Sequence, residues 1–341
     1  MPVSVVVGGQ YGSEGKGKVA HWLVGETSAS AAIRVGGPNS GHTVVTPDGE
    51  TLVFQLLPTA AIIPGVMCVL PPGAYLDARL LAEEIERASL AKDRLVIDPK
   101  AVVISPKNLQ REQASGLRET IGSTGSGTGA AVMSRIARSS GVRFAADEPA
   151  LKPYVAPTSS ILRSKLQKDE RILVEGTQGF GLSVLHTPHY PYATSRDTTA
   201  AGFVAEAGLS PLDVDDVVMV LRAFPIRVGG NSGPLLNEID WPTVTEESGS
   251  QTPIIEHTSV TGRVRRVARF DPEIVKLAIA HNTPTRVVLN HLDQLDSSCR
   301  DNKDGSNVTH KFVASVEEAL GCQVGYLGYG PAVMNKKLMS S

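Results

Sequence analysis

Residues 5–22, VVVGGQYGSEGKGKVAHW, place five glycines within ten positions between a β-branched apolar run and a helix-like one. From Gly12 to Lys18 the spacing is G-x-x-x-x-G-K, the pattern of a loop whose backbone N–H groups and lysine cradle a polyphosphate. Gly12, Ser13, Glu14, Gly15, Lys16, Gly17 and Lys18 are therefore candidate triphosphate ligands. Position 19 is Val, where a standard phosphate loop carries the Ser or Thr that holds magnesium. An ordinary strand-to-helix turn would need the same glycines; the two lysines argue against it. A second loop, GGPNSGHT (36–43), carries His42 as its only titratable side chain, and a lone histidine is more often structural than catalytic. GSTGSGTG (122–129) interleaves four glycines with hydroxyls, as an anion cradle or a flexible linker would. TGRVRRVARFD (261–271) gathers Arg263, Arg265, Arg266 and Arg269, either a solvated face or a clamp that grips a carboxylate bidentately.

The elements that must position these loops alternate. Val3–Val7, Leu95–Ile97, Arg171–Val174, Val217–Leu221 and Arg286–Leu289 read as buried strands. Segments 76–90 and 272–281 carry helical spacing, the second opening on Asp-Pro as a cap. That alternation predicts an α/β fold, a mostly parallel central sheet flanked by helices. TVVTPDGETLVFQLL (43–57) reads as a hairpin annexed to the sheet, because two alternating runs flank Pro47-Asp48-Gly49. No repeat or low-complexity tract divides the chain, so residues 1–341 are expected to form a single domain.

Composition narrows the function. At 341 residues, 41% hydrophobic and 20% charged, the chain has the profile of a soluble globular protein. A net charge of −2 supplies no field for a nucleic-acid polymer. Three cysteines without C-x-x-C spacing point to a reducing compartment and away from structural zinc. The most apolar later stretch, 60–70, is broken by Pro64 and too short for a bilayer, so no membrane partner and a cytoplasmic location are expected.

GGQYGSEGKGK, NSGHT, IGSTGSGTG, EGTQGFGLS, YPYATSRDTTA and VTGRVRR together resemble the adenylosuccinate synthetases, in order and approximate spacing, from residue 3 to about 330. The resemblance implies a P-loop-related fold and a homodimer. It implies a ligase that uses a nucleoside triphosphate and Mg2+ to join L-aspartate to C6 of a 6-oxopurine monophosphate. In that chemistry the γ-phosphate first passes to O6, and the aspartate amine then displaces phosphate. His42 resembles the family's proton donor to O6, and the Gly41 backbone resembles a magnesium ligand beside Thr43. Asn39, Ser123, Thr124 and Thr194 match residues that hold the monophosphate, and Gln178 matches the one beside the purine. Arg138 falls where the family reaches across the dimer onto the neighbour's substrate. Ser259, Val260, Thr261, Gly262, Arg263 and Arg265 match the aspartate loop, with Arg263 also near the purine monophosphate. Val264 replaces one arginine of the usual run.

Ser13 departs from the family's GDEGKGK, whose aspartate takes the purine N1 proton and ligates the metal. An unactivated hydroxyl is a poor base near neutrality and a weak neutral ligand, so catalysis and metal binding at Ser13 must differ. A serine here resembles the phage branch, the 2-aminoadenylosuccinate synthetases, which act on deoxyguanylate. A shorter side chain leaves room beside N1 for guanine's 2-amino group. A water, the transferring phosphate or Glu14 would then replace the base. The triphosphate's own base site departs too. NHLDQLD keeps Asp293 but has His291 for the family's lysine, and Tyr329-Gly330-Pro331 replaces Ser/Thr-Gly-Pro. These changes favour ATP or dATP over GTP. Three alternatives stand: a ligase acting on dGMP or GMP, with host cytoplasm as its location if phage-encoded; a conventional enzyme acting on IMP with GTP; and a catalytically silent nucleotide-binding paralogue. A dinucleotide oxidoreductase is disfavoured by the absence of G-x-G-x-x-G after the first strand.

Overall fold

A computed structural model describes residues 2–258, 262–300 and 304–337. The valine-rich strand Val3–Gly8 is buried along its whole length, because parallel strands cover both of its edges and helices both of its faces. It lies between Ile172–Glu175 and Val214–Arg222 in a nine-stranded sheet. Ala31–Arg34, Met67–Leu70 and Leu95–Ile97 extend the sheet on one side. On the other, Arg286–Asn290 and Tyr326–Tyr329 continue it in parallel, and Val333–Lys336 ends it antiparallel.

Every strand in the sequence-based reading is present, with ends moved by up to three residues. Ala31–Arg34 and Met67–Leu70 were not legible: one is half alanine, and the other starts only after Pro64 has broken the apolar run. Helix Ala78–Arg87 is shorter than the periodic stretch, since Asp77 caps its first turn by accepting from the Arg79 and Leu80 amides. Helix Pro272–Asn282 starts at Asp-Pro as expected, with Asp271 as its cap. The hairpin His42–Val45 with Thr51–Phe54 pairs only with itself and is not annexed to the large sheet. Its apolar face, Val44, Leu52 and Phe54, packs instead among Leu70, Leu76 and Leu81.

Helix Lys16–Thr27 follows the first strand and buries Val19, Ala20, Leu23 and Val24 against Val6, Val218, Val220 and Val288. The opposite face of the sheet packs on helices Ala200–Ala207 and Pro272–Asn282 through Phe203, Val204, Ile274 and Val275. Both faces are thus closed, and the exit left for polar chemistry is the carboxyl edge of the sheet. Arg34, Glu175, Arg222 and Asn290 are each the last residue of a strand there, and each is at most 2% exposed. Strand order reverses about the first strand at this edge, the position at which open α/β sheets bind ligands.

Candidate active site

The first glycine loop leaves the sheet edge and turns through left-handed backbone at Gly12, Ser13 and Gly15, with φ of 94°, 57° and 88°. Such a turn gathers successive N–H groups into a concave anion site ahead of the helix that begins at Lys16. Glycine carries two of these positions without cost; Ser13 carries the third with a Cβ. Glu14 folds back underneath and is fully buried. Its Oε1 accepts from the Gln10 and Gly12 amides at 3.1 and 2.8 Å, and its Oε2 pairs with Lys16 Nζ at 2.6 Å. Glu14 is therefore committed to the loop itself. The sheet edge ties the loop down further: Arg222 Nη1 donates to the Ser13 carbonyl at 3.0 Å, and Asn290 Nδ2 to the Glu14 carbonyl at 2.8 Å. At Gly17 the helix meets the hairpin so closely that a Cβ would lie 2.8 Å from that of His42.

His42 is 6% exposed. Its Nδ1 lies 2.5 Å from Glu175 Oε1, and Arg34 Nη1 lies 2.8 Å from the same nitrogen and 3.1 Å from Nε2. Glu175 Oε2 accepts from the Thr59 amide and hydroxyl at 2.8 and 2.9 Å. Burial and the Arg34 charge bring the imidazole down to about 3 against the opposing pull of Glu175, so His42 is neutral at pH 7. Glu175 stays ionised: burial alone would raise it, but the hydrogen bond and charge of His42 and the charge of Arg34 hold it below the usual carboxylate range.

A cavity of about 320 Å3 opens between these loops. Gly12, Ser13, Gly15, Lys16, Gly17 and Lys18 line it with Asn39, Gly41, His42, Thr43, Thr124, Gln178, Arg265 and Gly330, all from the sequence-based set. Tyr11, Val228, Thr258, His291 and Pro331 complete much of the wall. Gln178 sits on left-handed backbone, and Asn39 Nδ2 reaches Thr194 Oγ1 at 3.5 Å. Ser123 is outside the wall: its hydroxyl donates to Glu112 Oε1 at 2.8 Å, while Glu112 Oε2 accepts from the Gly129 amide at 3.1 Å, which braces the 122–129 loop. Arg138 is exposed just beyond helix Thr128–Ile136, also outside the wall.

The arginine cluster divides. Arg266 and Arg269 pair with Glu238 and Glu247 at 2.5 Å each, away from the cavity. Arg265 lines the cavity and donates to Glu256 Oε2 at 2.9 Å. Arg263 closes a turn with Thr258, its amide donating to Thr258 Oγ1 at 3.0 Å, and is not part of the wall. Gly262 is exposed in that turn, and Ser259, Val260 and Thr261 lie outside the described residues. At the far end, Lys18 Nζ donates to the Gly330 and Val333 carbonyls at 3.0 and 3.3 Å. His291 Nε2, in the wall, and Asp293 Oδ1, near Lys18 but outside the wall, are buried atoms with no hydrogen-bond partner among the described residues. Burial and the Arg222 charge keep His291 neutral.

Glu175, Arg34, Arg222 and Glu256 were not singled out from the sequence. Three of them carry a readable signal, a charge that ends an apolar strand run: AAIR, ILVE and VVMVLR. For a magnesium ion the wall offers Ser13 and the Gly41 backbone, both hard but neutral oxygen donors, since Glu14 is consumed. No group of three His, Cys, Asp or Glu side chains suited to a metal occurs among the described residues. That donor set fits an ion that arrives on the phosphates rather than one caged by protein. No helix among the described residues is long and apolar enough to cross a membrane.

The sequence profile of the adenylosuccinate synthetase family matches residues 5–147 and 144–300. The adenylosuccinate synthetase of Methanococcus aeolicus is 35% identical over 338 residues, with 97% of each chain covered. That of Thermococcus onnurineus is 34% identical, with 97% of this chain and 96% of the relative covered. Among solved structures, the succinoaminodeoxyadenylate synthetase of cyanophage S-2L, bound to dGMP and to dATP as an energy donor, superposes with a TM-score of 0.83 at 30% identity, covering 98% of this chain and 95% of that one. A fully ligated adenylosuccinate synthetase from Plasmodium falciparum superposes with a TM-score of 0.86 at 19% identity, covering 99% and 100%, a likeness of fold.

Proposed function

The chain belongs to the adenylosuccinate synthetase family of carbon–nitrogen ligases, and we propose that within it the protein joins L-aspartate to C6 of dGMP or GMP with ATP or dATP. The products are 2-amino-(deoxy)adenylosuccinate, the nucleoside diphosphate and phosphate. The observation that carries this reading is Ser13. It occupies the turn of the phosphate loop, lines the cavity, and stands where the family pattern has a carboxylate. The cyanophage structure supports it, because that protein binds dGMP and dATP and shares this fold.

In this reading Gly12–Lys18 cradle the triphosphate while Asn39, Thr124 and Thr194 hold the monophosphate. Gln178 lies beside the purine. Arg265, which shares the wall with Thr258, receives an aspartate carboxylate. When bound, Mg2+ neutralises charge on the transferring phosphoryl group; Ser13 and the Gly41 carbonyl would contribute to holding it. His42 faces O6. Its ring is neutral before substrates enter, and anionic charge arriving in the cavity acts against burial and Arg34, drawing a proton onto it. Glu14 does not take the N1 proton, since its carboxylate already serves two amides and Lys16. A water or the transferring phosphoryl group takes it instead. The protein acts as a homodimer, with Arg138 reaching the neighbour's monophosphate.

A second reading, conventional synthesis from IMP with GTP, is favoured by the names of the archaeal relatives. Ser13 separates the two. The test compares kcat/KM for dGMP and IMP in the wild type and in Ser13→Asp, at saturating aspartate and magnesium with ATP, dATP and GTP each in turn. The wild type is expected to favour dGMP, and the variant to shift the ratio toward IMP by at least about tenfold, ~1.4 kcal/mol of differential transition-state binding. A wild type that prefers IMP returns the protein to conventional synthesis. Absence of turnover with every triphosphate leaves a nucleotide-binding paralogue.

A further inference from the structure

Glu256 lies between the phosphate loop and the arginine that faces the cavity, and it touches the supports of both. Its Oε1 accepts from Arg222 Nη2 at 2.5 Å and from Gln294 Nε2 at 2.7 Å. Its Oε2 accepts from Arg222 Nη1 at 3.1 Å and from Arg265 Nη1 at 2.9 Å. Arg222 is fully buried, and the Nη1 that meets Glu256 also donates to the Ser13 carbonyl. The Arg265 side chain is 14% exposed and forms part of the cavity wall. The Glu256 backbone repeats the link, its carbonyl accepting from the Arg265 amide at 2.9 Å.

We propose that Glu256 is a positioning residue for the amino-acid substrate: it aims the Arg265 guanidinium into the cavity and ties that aim, through Arg222, to the turn at Ser13. The inference rests on the reading that Arg265 receives an aspartate carboxylate. A guanidinium fork gives selectivity for a carboxylate only when it is held in one orientation; three donors from Arg222 and Gln294 fix the Glu256 carboxylate, which in turn anchors one N–H of Arg265. Charge works in the opposite direction. Two guanidinium groups and one carboxylate leave a net single positive charge at this wall, and loss of Glu256 would raise it. If orientation dominates, removing Glu256 weakens aspartate binding; if bare charge dominates, it strengthens it. Orientation is expected to win, because the Arg265 Nη1 loses the carboxylate that holds it, whereas buried Arg222 still donates to Gln294 and the Ser13 carbonyl and so keeps the phosphate loop in place.

The experiment measures kcat and the KM of each substrate for the wild type, Glu256→Gln, Arg265→Ala and the double variant, with the full chain. Glu256→Gln is expected to raise the aspartate KM about tenfold, the effect of removing one charge-assisted hydrogen bond, and to leave the triphosphate KM within about twofold. The double variant should be no worse for aspartate than Arg265→Ala alone, since Glu256 acts through Arg265. Glu256→Asp should recover part of the loss. An unchanged or lowered aspartate KM in Glu256→Gln, equal rises in every KM, or additive effects in the double variant would each overturn the proposal. Arg265→Ala with an unchanged aspartate KM would instead refute the carboxylate reading on which it stands. If Glu256→Gln does not fold, Gln294→Leu keeps every charge and loosens one donor. It should raise the aspartate KM about threefold and the triphosphate KM not at all, and failure to do so overturns the proposal.

Discussion

Glu175→Gln isolates what a buried carboxylate does for His42 while preserving shape. In the native site Glu175 accepts from two Thr59 donors on one oxygen and faces His42 Nδ1 at 2.5 Å with the other. A glutamine oxygen can keep the Thr59 bonds, but its NH2 group then points at the imidazole and at Arg34, 3.7 Å from the native oxygen. Two consequences follow, with different sizes. Arg34 loses its counterion in a site where it is 2% exposed, a loss worth about 3–5 kcal/mol for an uncompensated buried pair. The lower end applies, because the Gly176 and Ser40 carbonyls still accept from Arg34 at 3.1 and 3.2 Å. His42 in turn loses the neighbour that favours its charged form, so its proton is held still less firmly. With His42 in the acid–base role proposed above, removing its orienting carboxylate is expected to lower kcat by about 100- to 1,000-fold, or ~2.7–4 kcal/mol, with nucleotide KM values little changed. Urea unfolding gives the first quantity and steady-state kinetics the second. A variant destabilised as expected but with kcat within about threefold of wild type would refute the coupling of Glu175 to catalysis. A variant of native stability and low kcat would refute the account of Arg34.

Lys18 is brought down to about 8 by burial, against the opposing charge of Asp293, so it is about half protonated at pH 8. Triphosphate binding at pH 8 should therefore take up protons, seen calorimetrically as a heat that varies with the buffer's ionisation enthalpy; equal heats in all buffers would place Lys18 outside the triphosphate site. The same burial has a stability signature. Below pH 8 the folded chain carries a buried charge that the unfolded chain solvates, and stability is regained as pH rises from about 8 toward the ordinary lysine value of 10.5, a slope that Lys18→Met should abolish. Arg138→Ala should weaken monophosphate binding, and mixing it with inactive His42→Ala should restore activity if Arg138 serves the neighbouring site. No recovery in mixed dimers, or full activity in a monomer, would confine Arg138 to its own chain.

What the sequence made legible was mostly local. Glycine and lysine spacing located the left-handed turn ahead of helix Lys16–Thr27, since positive φ at Gly12 and Gly15 is a property of the residues themselves. Valine runs located the buried strands for the same reason. What it concealed depends on contacts between distant segments. Nothing near Glu175 in the chain shows that it meets His42, 133 residues earlier, and nothing near Glu256 shows that it meets Arg222, 34 residues away. The arginine-rich run carried four identical side chains; only the placement of Glu238 and Glu247 showed that Arg266 and Arg269 belong to the surface. Glu14 was misleading in another way, because its chemistry suits a base and only its burial beneath the loop shows that it serves as a brace.

The hydrogen bond from Asn290 to the Glu14 carbonyl spans 276 residues, and that from Lys18 to the Gly330 carbonyl spans 312. During synthesis the glycine loop thus leaves the ribosome long before the strands that hold it exist. A nascent chain has the loop's sequence but lacks its clasp, so its amides and lysines stay in water and no shaped anion site forms. Loop closure over such separations is entropically slow and is repaid only when the last strands dock. Nucleotide can then bind only after the sheet is complete, and ligand present during folding stabilises the finished molecule without templating the early one.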